Sequence, residues 1–393
     1  MLFNPTEILL PQGVDLQKWS VVACDQFSSE REYWDGVRAR VGGAPSALNI
    51  ILPEAYLNDA ELDRREAEVG KTAEKYLQSG IFTAYPDAFI YVERTLRGGT
   101  VRRGIVGAVD LDSYDYSGKP APIRASEQTV PSRLPPRARA RRGSPLETPH
   151  IMLLIDDAAK RIIEPLQGEV LQRLYDFELM ENGGRLRGCL IDGARARELA
   201  KLIAGLPGGI LVGDGNHSLA AAKTVWEDVK PTLTAAERAN HPARFALAEL
   251  NNVYDDAIEF HAIHRVLFGV DAAKFTGGLA AAASGDGDYV IKCVADGFGR
   301  EFYAKNAPIG EIIADIQAYI DRLGVEVDYI HGRDAFKSLS TAPGNVGVYL
   351  PTMDKADLFR TVDTRGVFPR KSFSIGEAWD KRFYLECRKI KEN

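Results

Sequence analysis

Residues 209–223, GILVGDGNHSLAAAK, constrain this chain more than any other stretch. Gly209-Ile210-Leu211-Val212 is apolar and β-rich, Gly213-Asp214-Gly215 is turn chemistry, and Leu219-Ala220-Ala221-Ala222-Lys223 is a strong helix former. The string predicts a loop joining the C-terminal end of a strand to a helix N-terminus. In α/β architectures that edge of the sheet is where ligands bind. The free N–H groups and dipole of a helix's first turn favour an anion there, phosphate above all. The glycines let the backbone approach a ligand closely. Asp214 can hold Mg²⁺ or accept a proton, and Asn216 and His217 can donate to phosphate oxygens. A plainer account stays open: Asp214 or Asn216 caps the helix, and His217 is a satisfied structural histidine.

Around this motif the chain reads as α+β (mixed α/β). At 393 residues it exceeds what one compact core usually serves. Trp19–Cys24 reads as a short β-rich run ending at a polar segment that caps a helix from near Glu30. Residues 54–79 have helical spacing, and 89–95 and 104–111 read as strands joined by Arg97-Gly98-Gly99. Residues 118–149 are rich in Pro, Arg and Ser and predict a long loop. Ile151–Ile155, Leu171–Met180, Arg187–Ile191, a helix at 194–204 and the strand 209–212 follow, then strands at 248–253 and 263–268 and a helix at 309–322. The expected organisation is an N-terminal α+β region (1–117), the Arg/Pro-rich loop (118–149), a core carrying the opening motif (150–268) and a C-terminal α+β region (269–393).

The N-terminus lacks the basic start and apolar stretch of a secretory signal, and nothing approaches a run of about 20 apolar residues. The four cysteines are widely spaced with no C-x-x-C pair, which suggests neither a disulfide framework nor a zinc ribbon. The expectation is a soluble cytoplasmic protein without a membrane partner. A net charge of −6 works against general nucleic-acid binding. That average hides one exception. Between Arg124 and Arg142 six arginines (124, 133, 137, 139, 141, 142) face the single acid Glu127, giving +5 there and −11 elsewhere. Such focusing suits a local anionic ligand better than a duplex.

Further candidates follow from residue type. Glu127 beside Arg124 offers a general base or metal ligand with a fixed partner, or a surface ion pair. Arg133 and Arg137 offer charge to phosphate, and an extended segment would point 137, 139 and 141 the same way. Asp25 and Gln26, at a strand end, can bind a small polar substrate or cap the next helix. His264 and Arg265 can donate to an anion, against packing of the histidine between Ile263 and Val266. His150, His331 and the basic pair Arg370-Lys371 are weaker candidates. His261 and His264 invite a zinc reading, but the stretch is mostly apolar and lacks H-E-x-x-H. No P-loop, dinucleotide fingerprint or nucleophile elbow is present.

The DGNHS string (214–218) resembles the D-G-H/N-H-R/S loop of the domain of unknown function 1015 family, which is similar to the ParB/sulfiredoxin-like superfamily. The resemblance extends over nearly the whole chain, through ACDQFSSEREYW (23–34), PSALNIILPEAYL (45–57), IRASEQTVPSRLPPR (123–137), ETPHIMLLIDD (147–157), IHRVLF (263–268), YIHG (329–332) and FPRKSFSIGEAWDKRFYLECRKI (368–390). It implies a ParB/sulfiredoxin-like core with added N- and C-terminal α+β regions. It further implies a Mg²⁺-assisted phosphotransferase or nucleotide hydrolase using ATP, ADP or CTP on a small hydroxylated metabolite, with free serine or phosphoserine as the guess. Gly213, Gly215, Asn216, His217 and Ser218 would meet phosphate, helped by Arg124, Arg133, Arg137, His264 and Arg265. Asp214 would be the metal-linked acid, and Asp214 or Glu127 would take the hydroxyl proton. Ser218 stands where many relatives have Arg, so the pattern's strongest phosphate clamp is missing. A nucleotide-binding ParB-like regulator with little turnover and a metal-dependent hydrolase are the alternatives. The expected partner is a small phosphate ligand or nucleotide, with nucleic acid disfavoured and a homo-oligomer left open.

Overall fold

The structure, a computed structural model, describes residues 1–57 and 59–391 and is mixed α/β. The chain divides into two units. The larger holds residues 1–125, 129–258 and 377 onward; the smaller holds 126–128 and 259–376.

The larger unit is organised by an eleven-stranded mixed sheet. Its spine is the hairpin Phe82–Thr95 and Val101–Asp110, longer than the sequence predicts but with the expected turn. On one side of this hairpin follow Phe245–Asn252, Met152–Ile155, Ile210–Asp214 and Ile123–Ala125. Phe245–Asn252 runs parallel to Met152–Ile155, and Ile210–Asp214 runs antiparallel to it. Met152–Ile155 is buried throughout, as its unbroken apolar run demands of a strand covered on both faces. A buried cluster including Trp19, Trp34, Tyr56, Val106, Leu247 and Leu385 covers the sheet beside the hairpin.

The Arg/Pro-rich segment differs from expectation. Leu134–Gly143 is a helix, not loop, and Pro135 and Pro136 sit in its first turn. Proline is tolerated there because those N–H groups have no intrahelical partner. Trp19–Cys24 also differs: it makes a single bridge, Val22 to Phe383, where a strand was expected.

The smaller unit is an antiparallel sheet in the order Phe298–Tyr303, Val290–Ala295, Asn345–Tyr349, His264–Phe268, Val327–Ile330. The amphipathic helix Ile309–Leu323, expected from its spacing, buries Ile309, Ile312, Ile313, Ile316 and Ile320. No described helix is long and apolar enough to cross a membrane.

Candidate functional site

The opening motif forms the predicted strand, turn and helix. Ile210–Asp214 is followed at Gly215 by the helix Asn216–Val229. The ladder with Met152–Ile155 shifts register between Val212 and Asp214, so Gly213 is the extra residue of a bulge. Such a bulge re-aims the side chain that follows it. Gly215 has φ +80°, and a Cβ there would lie 3.1 Å from Ile151 Cα, so the turn needs a residue without one. Asp214 Oδ1 accepts the Gly215 N–H at 2.9 Å. Among the described residues no side chain caps the helix, so the capping account of Asp214 and Asn216 does not hold. Asn216 Oδ1 is buried with no hydrogen-bond partner among the described residues.

The residue facing Asp214 comes from the far end of the sequence. Ala23 N–H donates to Arg382 O at 3.0 Å, and Tyr384 N–H donates to Val21 O at 2.8 Å. This short antiparallel pairing carries Asp25 at the end of one segment and Lys381 at the start of the other to the first turn of the site helix. Lys381 Nζ lies 3.2 Å from Asp214 Oδ2. Burial works against the charge of Asp25, but His150, Gln26, Lys381 and Arg137 outweigh it and hold its carboxyl below the usual range. Lys381 is thus shared by two carboxylates.

His150 precedes Met152–Ile155. Because that strand is antiparallel to Ile210–Asp214, its entry lies beside the motif's exit. The Tyr384 hydroxyl accepts the Cys24 N–H at 3.1 Å and lies 2.7 Å from His150 Nδ1. Burial, with Cys24 beside it, raises the Tyr384 pKa well above the ordinary phenol value, so the hydroxyl keeps its proton. His150 Nε2 lies 3.4 Å from Ser218 Oγ and 3.7 Å from Asp25 Oδ2.

Beneath this cluster, Arg382 fixes the returning segment. Its Nε reaches Glu249 Oε2 at 2.9 Å, Nη2 reaches Glu386 Oε2 at 2.5 Å, and Nη1 donates to the carbonyl of Pro149, next to His150. Tyr175 donates to the other oxygen of Glu386, and Asn251 to Glu249 Oε1.

The other sequence candidates are placed as follows. His217 Nε2 accepts the Val130 N–H at 3.1 Å, which leaves that nitrogen unprotonated and turned to backbone. The arginines spread around their helix instead of pointing one way, since 3.6 residues per turn puts 137 with 141 on one side and 139 with 142 on another. Arg137 pairs with Glu54, Arg141 with Glu147 at 2.5 Å, Arg139 with Glu66 and Arg142 with Asp228. Arg133 is exposed, and its carbonyl receives Arg137 Nη1. Arg124 donates to Gly208 O at 3.1 Å. Glu127 belongs to the smaller unit, where it accepts the Ser372 N–H at 3.1 Å and burial pushes its pKa up to about 7. His264 and Arg265 also lie there and are buried. Arg265 reaches Gln317 and Ile263 O, while His264 accepts the Leu350 N–H, stacks on Tyr349, and is pushed by burial down to about 4. Both serve packing, because a strand interior gives neither a path to solvent.

The structure therefore brings together Asp25, Gln26, Asp214, Asn216 and Ser218 of the predicted set and adds Lys381 and Tyr384, with His150 promoted from a weak candidate. Among the described residues no group of three or more His, Cys, Asp or Glu side chains is arranged to hold a metal ion by itself, the His261–His264 reading included.

A family model described as Protein of unknown function (DUF1015) matches residues 9–366. No curated protein sequence matches the chain. Among solved structures, a free serine kinase mutant in complex with ADP aligns at 12% identity over 74% of this chain and 93% of that one, with a TM-score of 0.41. SbnI with a C-terminal truncation, from Staphylococcus aureus, aligns at 10% identity over 69% and 82%, with a TM-score of 0.38. A conserved hypothetical protein from Pyrococcus furiosus aligns at 14% identity over 72% and 94%, also with a TM-score of 0.38.

Proposed function

The chain belongs to the DUF1015 family, and from the geometry of its site we propose that it is a nucleotide-dependent phosphotransferase acting on the hydroxyl of a small metabolite. The observation that carries this reading is the ammonium of Lys381 at the first turn of the helix Asn216–Val229, with an ionised Asp25 and His150 beside it. A helix N-terminus supplies backbone donors for phosphate oxygens, and a nearly buried lysine supplies the neutralising charge that Ser218 does not.

In this reading Lys381 leaves Asp214 for the phosphate when the ligand binds. The acceptor hydroxyl is oriented by Ser218 and His150, its oxygen attacks the terminal phosphorus, the bond to the nucleoside diphosphate breaks, and Asp25 takes the hydroxyl proton. Phosphoryl transfer leaves the protein little covalent chemistry to do, and a carboxylate held ionised is available to accept that proton. Most of the catalysis is then positioning and charge neutralisation.

The residues also fit a hard cation. Mg²⁺ is commonly held by one or two carboxylates together with substrate phosphates, and the carboxylate of Asp214 and the orphaned Oδ1 of Asn216 are oxygen donors of that kind. Bound there, Mg²⁺ would neutralise charge across the phosphates.

Calorimetric titration with ATP, ADP and CTP, with and without Mg²⁺, tests the reading. Wild type should bind at least one of them, and Lys381→Ala should weaken that binding roughly 10- to 150-fold, the worth of a charged hydrogen bond. If no nucleotide binds wild type, the reading fails. Nucleotide binding without phosphoryl transfer to any alcohol would favour the regulator instead.

A further inference from the structure

We infer that the acceptor handled at this site is a neutral alcohol with an apolar, ring-sized body, and that its body lies in a cleft opening on His150. The inference rests on the phosphotransferase reading only in calling the occupant an acceptor.

The cleft has a volume of about 170 Å³ and lies within the larger unit. One wall comes from Ile51 and Leu52, and the others from Val69, Pro136, Ala140 and Ala221 on three different helices. His150, Ser218, Tyr384 and Cys24 form its polar end. Burial pushes the Cys24 thiol up to about 12, so it meets an occupant as a neutral group. The phenol of Tyr384 is likewise held neutral and already used by His150. Of these four groups, Ser218 Oγ and His150 Nε2 share the face left for a ligand, the partners for one hydroxyl.

The charges lining the cleft cancel. Arg137 pairs with Glu54, and Arg141 with Glu147 at 2.5 Å, so two cations and two anions are joined as ion pairs. A free amino acid such as serine would bring a carboxylate and an ammonium to walls that offer neither an uncommitted counter-charge nor water-like polarity, at a large desolvation cost. An uncharged molecule with a hydrocarbon face meets no such cost. Size bounds it further: a cavity of about 150 Å³ accommodates benzene in other proteins. A six-membered ring bearing a short hydroxylated arm fills the space, its hydroxyl at Ser218 and His150 and its ring against Val69, Ala140 and Ala221.

Ligand-observed NMR titration of the 393-residue chain with benzyl alcohol and with L-serine tests this, with Ala140→Leu and Val69→Phe filling the cleft from two different helices. Benzyl alcohol should bind saturably to wild type and at least tenfold more weakly to each variant that retains the wild-type melting profile, while L-serine should show no saturable binding. The inference is overturned if benzyl alcohol fails to bind wild type, if L-serine binds and benzyl alcohol does not, or if both folded variants bind benzyl alcohol as wild type does. Benzyl alcohol carries no phosphate, so this outcome is independent of nucleotide binding. Failure of the nucleotide titration would sink the phosphotransferase reading and leave the cleft assignment standing.

Discussion

Replacing Arg382 with methionine removes the guanidinium that holds the returning segment against the sheet. Its two carboxylate partners are almost without solvent: the side chains of Glu249 and Glu386 are 3% and 1% exposed. Burial works against the charge of Arg382, yet Glu386 and Glu249 outweigh it and raise its pKa. Removing one partner of a buried ion pair costs about 3–5 kcal/mol, because the other charge is left uncompensated. Glu249 would keep Arg102 at 3.6 Å and Asn251, and Glu386 would keep Tyr175, which places the expectation at the lower end, about 3 kcal/mol. For a body of this size each kcal/mol is worth about 2–4 °C of Tm, so melting should fall by about 6–12 °C. Calorimetry on Arg382→Met, Glu249→Gln and the double variant gives the check. The double variant should be less destabilised than the sum of the singles, by about 0.5–3 kcal/mol of coupling, since one orphaned charge goes with the other. Melting of Arg382→Met within about 2 °C of wild type would refute the claim that this network holds the segment.

Asp25→Asn should be less stable than wild type at neutral pH. The carboxyl of Asp25 is held below its ordinary value, so its contribution is present above the unfolded-state pKa of about 3.9 and is lost as pH falls through the folded value. Urea denaturation should therefore show the gap between the two proteins closing only below about pH 4. Glu127 has the opposite sign: burial raises its carboxyl to about 7, so the loss of stability grows as pH rises from the unfolded-state value of about 4.3 and is complete above about 7. Glu127→Gln should gain at most about 3 kcal/mol over wild type at pH 8 and much less at pH 5, read from denaturation midpoints at the two pH values. Gly215→Ala places a Cβ at positive φ against Ile151 and should cost about 1–3 kcal/mol by thermal melting, with weaker nucleotide binding; an unchanged Tm would show that the turn adapts.

What the sequence could disclose was whatever neighbouring residues determine among themselves. The strand, glycine turn and helix at 209–223 were legible because alternation, turn chemistry and helix propensity all act within a dozen residues, and the same holds for the inner part of the hairpin, 89–95 and 104–110, and the buried run 152–155. The arginine segment misled because Pro135 and Pro136 read as loop residues, whereas a first helical turn accepts both. Its net charge misled for another reason: Glu147, just past its end, and Glu54, Glu66 and Asp228, distant in sequence, meet its arginines one by one. Arg265 read as an anion donor, but a strand position with 0% exposure turns it into the core. Lys381 and Tyr384 could not be found by local reasoning, since their role depends on residues 382–384 pairing with 21–23. The only trace was that WDKRFYL falls in a stretch resembling the family. Ser218, read as a lost clamp, lies on the wall of the cleft beside His150.

The pairing of residues 21–23 with 382–384 also sets a schedule for the site during synthesis. A ribosome adds about 5–20 residues per second, so Lys381 emerges on the order of ten to thirty seconds after Asp214 and later still after Asp25. In that interval the strand, the turn and the helix can form, but the two carboxylates lack the ammonium they share. The nascent chain therefore passes through a stage in which the turn at 213–215 is shaped while Asp25 and Asp214 lack their shared cation, and the proposed site is complete only once residues 381–384 have been made and paired.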